Sequence, residues 1–215
     1  HGVHRRQRQM CIRDSVSSGG GSNAIASLLK VPGASNTVLE AYIPYAKESL
    51  DFYLMKKPDF YASKDTSLRM AARAYSAAKK IDQESSLNHL LGVSITASLS
   101  TTYEKRGDHK FHIALQTRDF SKSISCKLEK GQRTREEEEE LVTAFVVNLL
   151  AECSELEYDY PKIPEEVVFD EVKAEKGWAE LMSNKINYVL SEDASPELIF
   201  PGAFYPYHDG HKAMK

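Results

Sequence analysis

Residues 201–211 read Pro-Gly-Ala-Phe-Tyr-Pro-Tyr-His-Asp-Gly-His, so two histidines, His208 and His211, stand three apart behind a glycine turn. The apolar run Leu198, Ile199, Phe200 before them predicts a buried strand, and Pro201-Gly202 breaks it. Strand, glycine turn and helix start is the arrangement that presents backbone N–H groups to a phosphate. At a helix start, histidines three apart share one side, where both can face one anion. A second glycine run, Ser17-Ser-Gly-Gly-Gly-Ser22, lies near the other end of the chain ahead of a predicted helix. Its unhindered backbone and small hydroxyls suit an anion cradle, and the same composition suits a flexible linker.

Several elements must position these groups. A helix is expected over residues 23–30, with Ile25, Leu28 and Leu29 on one face. A β-branched and aromatic strand is expected over 37–45 and a helical turn over 49–55. Asp65 is placed to cap a helix over 66–81, in which Leu68, Ala71, Ala72, Tyr75 and Ala78 recur at helical spacing. Residues 89–100 read as a buried strand. Alternating residues in 109–117 and 121–130, joined by a short loop, predict an antiparallel hairpin. Thr134 and Glu137 form a capping box that starts a helix reaching about residue 156, and residues 136–140 read as its solvated acidic start. The face expected to pack runs through Leu141, Ala144, Phe145, Asn148, Leu149 and Glu152. Together these elements predict an α/β domain with a mixed sheet and helices packed on it, over residues 16–157. A proline-rich, acidic linker with a short helix near 178–190 follows over residues 158–196, and 197–215 open a further domain. Residues 1–15 are basic and show no periodicity, so they are expected to be adapter-derived sequence outside the fold; no apolar stretch follows them as a signal peptide would require.

Composition limits the function classes. The 215 residues are 41% hydrophobic and 27% charged with a formal charge of −3, which gives no reason to expect a nucleic-acid or membrane partner. No apolar run approaches the roughly twenty residues of a membrane helix. Three scattered cysteines, Cys11, Cys126 and Cys153, make neither a disulfide framework nor a zinc site, and point to a reducing, cytoplasmic compartment. His109 and His112 fall on opposite faces of one strand, so no metal site is expected there.

Two resemblances sharpen these expectations. Residues 197–215 resemble the opening signature of the HxGH nucleotidyltransferases, through Gly202, Phe204, Pro206, His208, Gly210 and His211; Ala203 and Tyr205 replace the usual hydroxyl and Asp/Asn. That resemblance implies His208 and His211 as catalytic residues, and nucleotide binding by Gly202, Ala203, Phe204 and Gly210. No covalent cofactor is expected, and the full-length transferase would use a nucleoside triphosphate with magnesium. The chain would then stop inside the motif.

Residues 15–156 resemble the C-terminal domain of the CinA family, whose bacterial relatives hydrolyse the amide of nicotinamide mononucleotide. This resemblance places Ser17, Gly20 and Gly21 on the family's E-S-C-T-G-G motif and Ser35 on its G-S-S. Tyr45 falls on its T-Y-x-N-x-x-K block, Thr96 on its G-I-A-G-P loop and Lys105 on its K-P-x-G segment. It implies one polar pocket containing Ser17, Gly19, Gly20, Gly21, Ser22, Ser35, Tyr45, Thr96 and Lys105. Leu50 falls where the block ends in lysine, which removes a base from the amidase chemistry. The expected protein is therefore part of a bifunctional enzyme of nucleotide metabolism, amidase-like and then nucleotidyltransferase. The alternative is an inactive nucleotide-binding module regulating that transferase. The expected partner is a small-molecule nucleotide, with a homo-oligomer possible.

Overall fold

The computed structural model describes residues 12–103 and 105–175, with isolated positions at 177, 180, 181, 186 and 187. Residues 197–215, and with them Gly202, Ala203, Phe204, Gly210 and the pair His208 and His211, lie outside the described residues, as does most of the expected helix at 178–190.

Eleven elements follow one another: β1 (Ile12–Ser18), α1 (Ser22–Leu29), a 3-10 turn (Ala34–Asn36), β2 (Val38–Tyr42), α2 (Lys47–Leu54), α3 (Lys64–Ile81), β3 (Leu90–Ser98), β4 (His109–Gln116), β5 (Phe120–Leu128), α4 (Arg135–Cys153) and β6 (Val167–Lys173). They build the expected α/β architecture around one six-stranded mixed sheet of order β2-β1-β3-β4-β5-β6. The first three strands are parallel and the last three join antiparallel.

Each sheet face has its own cover. Alternate residues of β3, β4 and β5 (Val93, Ile95, Phe111, Ile113, Ile124, Cys126) meet Val142, Phe145, Val146 and Leu149 of α4 in the larger core. The opposite face receives α3, whose buried stripe is Met70, Ala71, Ala74, Tyr75 and Ala78. That stripe is rotated from the expected one: Ala72 is exposed, and Met70 and Ala74 pack instead. Small residues here bring the helix backbone onto β3. A Cβ at Gly92 would come within 2.2 Å of the Tyr75 nitrogen and 2.3 Å of the Ala71 oxygen, so only glycine fits beneath this helix.

Three expectations about boundaries are corrected. Residues 12–15, set aside with the basic arm, form the first half of β1, the strand between β2 and β3. Periodicity concealed it, because Asp14 and Ser15 are polar yet 1% and 3% exposed. The linker at 158–196 contains β6, which pairs along its length with β5. Its mostly exposed side chains follow no burial alternation, as befits a sheet edge. Ser63, not Asp65, caps α3, its hydroxyl accepting the Thr66 N–H at 3.2 Å. The capping box of Thr134 and Glu137 forms as expected.

Candidate functional site

The parallel strands β1 and β3 end side by side, with Ser17 beside Ile95 and Ser18 beside Thr96. From this edge the chain after β1 turns to α1, which packs against α4, while the chain after β2 turns to α2 on the face of α3. Loops that leave neighbouring parallel strands for opposite faces open a crevice at their carboxyl ends, the usual ligand position in open α/β sheets.

The glycines form the tight part of this edge. Gly19 and Gly21 have φ of 79° and 84°, the left-handed region that glycine enters without penalty. A Cβ on Gly19 would lie 2.2 Å from the Ala97 oxygen, and one on Gly20 would lie 2.7 Å from Leu99 Cδ1. The turn is thus pressed against the end of β3. The hydroxyls around it donate to main-chain carbonyls: Ser17 Oγ to Gly20 O at 2.8 Å, Ser18 Oγ to Pro44 O at 2.9 Å and Thr96 Oγ1 to Tyr61 O at 2.8 Å. Lys105 reaches the same edge, its Nζ donating to Leu99 O at 2.7 Å and to Ser98 Oγ at 3.3 Å. Partial burial, with Arg135 nearby, holds its ammonium pKa below the ordinary lysine value.

The acidic start of α4 is solvated only in part: Glu136, Glu137 and Glu140 are exposed, but two glutamates are not. Glu138 is 0% exposed and Glu139 9%. Glu139 accepts the Gly21 N–H at 2.6 Å; Glu138 accepts the Ser100 N–H at 2.5 Å and lies 2.8 Å from His109 Nδ1. Arg135 donates to Gly19 O at 3.1 Å, to Ser100 O at 3.3 Å and to Glu139 at 2.9 Å. The start of this helix therefore clamps the loops after β1 and β3, taking N–H and C=O groups from each. These three residues were missed as functional. The sequence signal is Arg135 and Glu139 at i, i+4 in the first turns of α4, directly after the Thr134 cap.

The clamp changes what the glycine turn can bind. The Gly21 N–H, which would face a phosphate, already holds the Glu139 carboxylate at the start of α1. A phosphate bound at that N–H would meet a second negative charge.

The other expected pocket residues divide. Ser22 is exposed at the first position of α1. Tyr45 follows Pro44 at this edge but is 71% exposed. Ser35 does not join them. It sits in the turn leading into the start of β2, whose neighbour Thr37 accepts the Arg13 N–H at 2.7 Å, at the other end of β1 from Ser18. Leu50 is 1% exposed and packs with Val16, Met70 and Ala74. Its place is a core position, where an unpaired ammonium would be costly. Lys47, the first residue of α2, is exposed instead and holds Nζ 5.5 Å from the Tyr61 ring centroid. Tyr61 also donates its hydroxyl to Asp51 at 3.2 Å, and its carbonyl is the one that accepts from Thr96. Lys47 thus lies beside Tyr61, the residue whose carbonyl holds Thr96 at this edge.

His109 and His112 do face opposite sides of β4, towards Glu138 and Ser125 respectively. Among the described residues no group of three metal-ligating side chains converges, and no helix is long and apolar enough to cross a membrane.

No protein family matches this sequence, and no curated protein matches it. Solved structures do. A competence or damage-inducible protein from Enterobacter asburiae superposes with a TM-score of 0.53 at 14% identity, over 66% of this chain and 88% of that one. A CinA-superfamily protein from Escherichia coli gives 0.52 at 11% identity, over 65% and 79%. The competence/damage inducible protein CihA from Agrobacterium tumefaciens gives 0.51 at 17% identity, over 67% and 87%. The chain thus contains a CinA-like α/β domain in fold.

Proposed function

We propose that this domain binds a mononucleotide at the carboxyl edge of β1, β2 and β3 without hydrolysing it, and so serves as a sensing module for the transferase segment that follows. The observation that carries this reading is the state of the edge hydroxyls. Ser17, Ser18 and Thr96 each donate to a main-chain carbonyl, and no described basic side chain hydrogen-bonds any of the three. A serine nucleophile needs a positioned base to take its proton. Ser17, 1% exposed and turned onto Gly20 O, lacks one. Leu50 in the core supplies no substitute. Recognition remains supported by a rigid, clamped crevice bordered by the cations of Lys47 and Lys105. In this reading residues 197–215 open an HxGH nucleotidyltransferase, in which His208 and His211 hold a nucleoside triphosphate with magnesium.

A second reading is favoured by one contact. Lys47 sits beside Tyr61, whose carbonyl anchors Thr96, so a modest shift would bring a lysine base to the crevice and restore amidase chemistry. The two readings separate in one experiment on the full chain: calorimetric titration with nicotinamide mononucleotide alongside an ammonia-release assay. Binding without ammonia supports the module. Release at roughly 1 s⁻¹ or faster, an ordinary enzyme rate, and its loss in Lys47→Ala, supports the amidase.

A further inference from the structure

The face of the sheet that carries α3 is covered over β1, β3 and β4 but hardly over β5, and a depression of about 610 Å³ opens at its far side. Two rungs of the β4–β5 ladder, successive on this face, form its floor. In one, His112 stands opposite Ser125; in the next, Lys110 stands opposite Lys127. Val168 of β6, opposite Ser125, gives an apolar wall. All five line the depression. Thr96 is the neighbour of His112 on β3, and its contact with the Tyr61 carbonyl marks where the carboxyl-edge crevice begins.

Two ammonium groups directly opposite each other on neighbouring strands repel, and an anion between them relieves that repulsion. Lys110 has no ion-pair partner among the described residues. Lys127 pairs only with Asp108, at 3.1 Å, where both side chains are largely exposed, a pairing of little strength in water. His112 adds a polar wall. Its Nδ1 lies 2.9 Å from Ser125 Oγ, and its Nε2 is buried without a hydrogen-bond partner among the described residues. A buried polar nitrogen left in this state is destabilising unless something supplies a partner. Burial, with Lys110 beside it, holds the imidazole pKa down at about 4, so the ring is neutral near pH 7. If Nδ1 accepts from the Ser125 hydroxyl, Nε2 carries the remaining proton and is a donor. Carboxylates line the depression as well: Glu129 follows two residues after Lys127 and Glu166 directly precedes β6. Glu165 is taken by Arg133 through both oxygens, leaving Glu129 and Glu166 exposed.

We propose that this depression is a second ligand site, which takes the oxyanion of a small phosphorylated or carboxylated molecule on the Lys110–Lys127 rung beside His112 and Ser125. The exposed Glu129 and Glu166 then face the rest of that molecule and select for hydroxyl or ammonium donors on it. The site is independent of the carboxyl-edge reading, since it shares no side chain with it.

The test is NMR titration of the full chain with inorganic phosphate and, separately, with acetate. Saturable shifts of the His112 ring and of the Ser125 and Lys127 amides are expected. Lys110→Ala and Lys127→Ala should each weaken binding about fivefold, the equivalent of roughly 1 kcal/mol for one exposed charge. The double variant should abolish it, and Lys80→Ala, an exposed charge near the end of α3, should leave it unchanged. Saturation by phosphate alone would assign the site to phosphorylated ligands, and saturation by both would extend it to carboxylates. Linear, non-saturating shifts, or shifts that persist in a folded double variant, would overturn the proposal.

Discussion

Asp14 sits near the middle of β1, 1% exposed, opposite Glu40 of β2, and its Oδ1 has no hydrogen-bond partner among the described residues. Burial above all, with Glu40 adding repulsion, raises its carboxyl pKa from 3.8 to about 7. A carboxyl raised in the folded state favours folding only while it stays protonated. Its ionisation in the unfolded chain begins near pH 4, so stability falls as pH rises from there and levels off above about pH 7. One pKa unit corresponds to about 1.4 kcal/mol. Between pH 5 and pH 8 the group therefore removes about 3 kcal/mol, a large share of the roughly 5–15 kcal/mol typical of a domain. Asp14→Asn keeps the shape and removes the titration. Urea denaturation of both proteins at pH 5 and pH 8 measures the effect. The advantage of Asp14→Asn over wild type should grow by about 3 kcal/mol across that interval. If the two proteins change in parallel between these pH values, Asp14 is not the buried, protonated group described here.

Other perturbations give equally definite outcomes. Gly92→Ala should cost at least about 3 kcal/mol or yield no folded protein, read by thermal denaturation, because the added Cβ meets the α3 backbone 2.2 Å away. Leu50→Ala should cost about 2–5 kcal/mol in denaturant titration, as a core truncation does. A loss below about 0.5 kcal/mol would return position 50 to the surface. Glu139→Ala should cost about 1–3 kcal/mol by orphaning the Gly21 N–H, with faster hydrogen exchange at that amide. Unchanged exchange would show that the clamp is not what holds the glycine turn.

Most of this fold was legible in local pattern. The β4–β5 hairpin showed the alternation of a strand with one buried face, and α4 announced itself by Thr134 and Glu137. What escaped was set by tertiary context. Ile12–Ser18 carries Asp14, Ser15, Ser17 and Ser18 into the sheet interior, so its polar composition hid a central strand. β6 is an edge strand with mostly exposed side chains and follows prolines that suggested a linker. At the site, the pairing of the glycine turn with Thr96 came from the resemblance to the CinA C-terminal domain and not from local pattern. Ser35 could not be excluded, since only the parallel register reveals that it lies at the opposite end of β1. The buried roles of Glu138 and Glu139 were likewise invisible, because a run of glutamates at a helix start ordinarily faces water.

The most direct test of the central claim is to map where nicotinamide mononucleotide binds, by two-dimensional NMR of the full chain, while ammonia is measured in the same sample. The account predicts saturable shifts centred on residues 17–21, 44–47 and 96–100, with no ammonia released over hours. Shifts elsewhere, no shifts, or steady release of ammonia would contradict it.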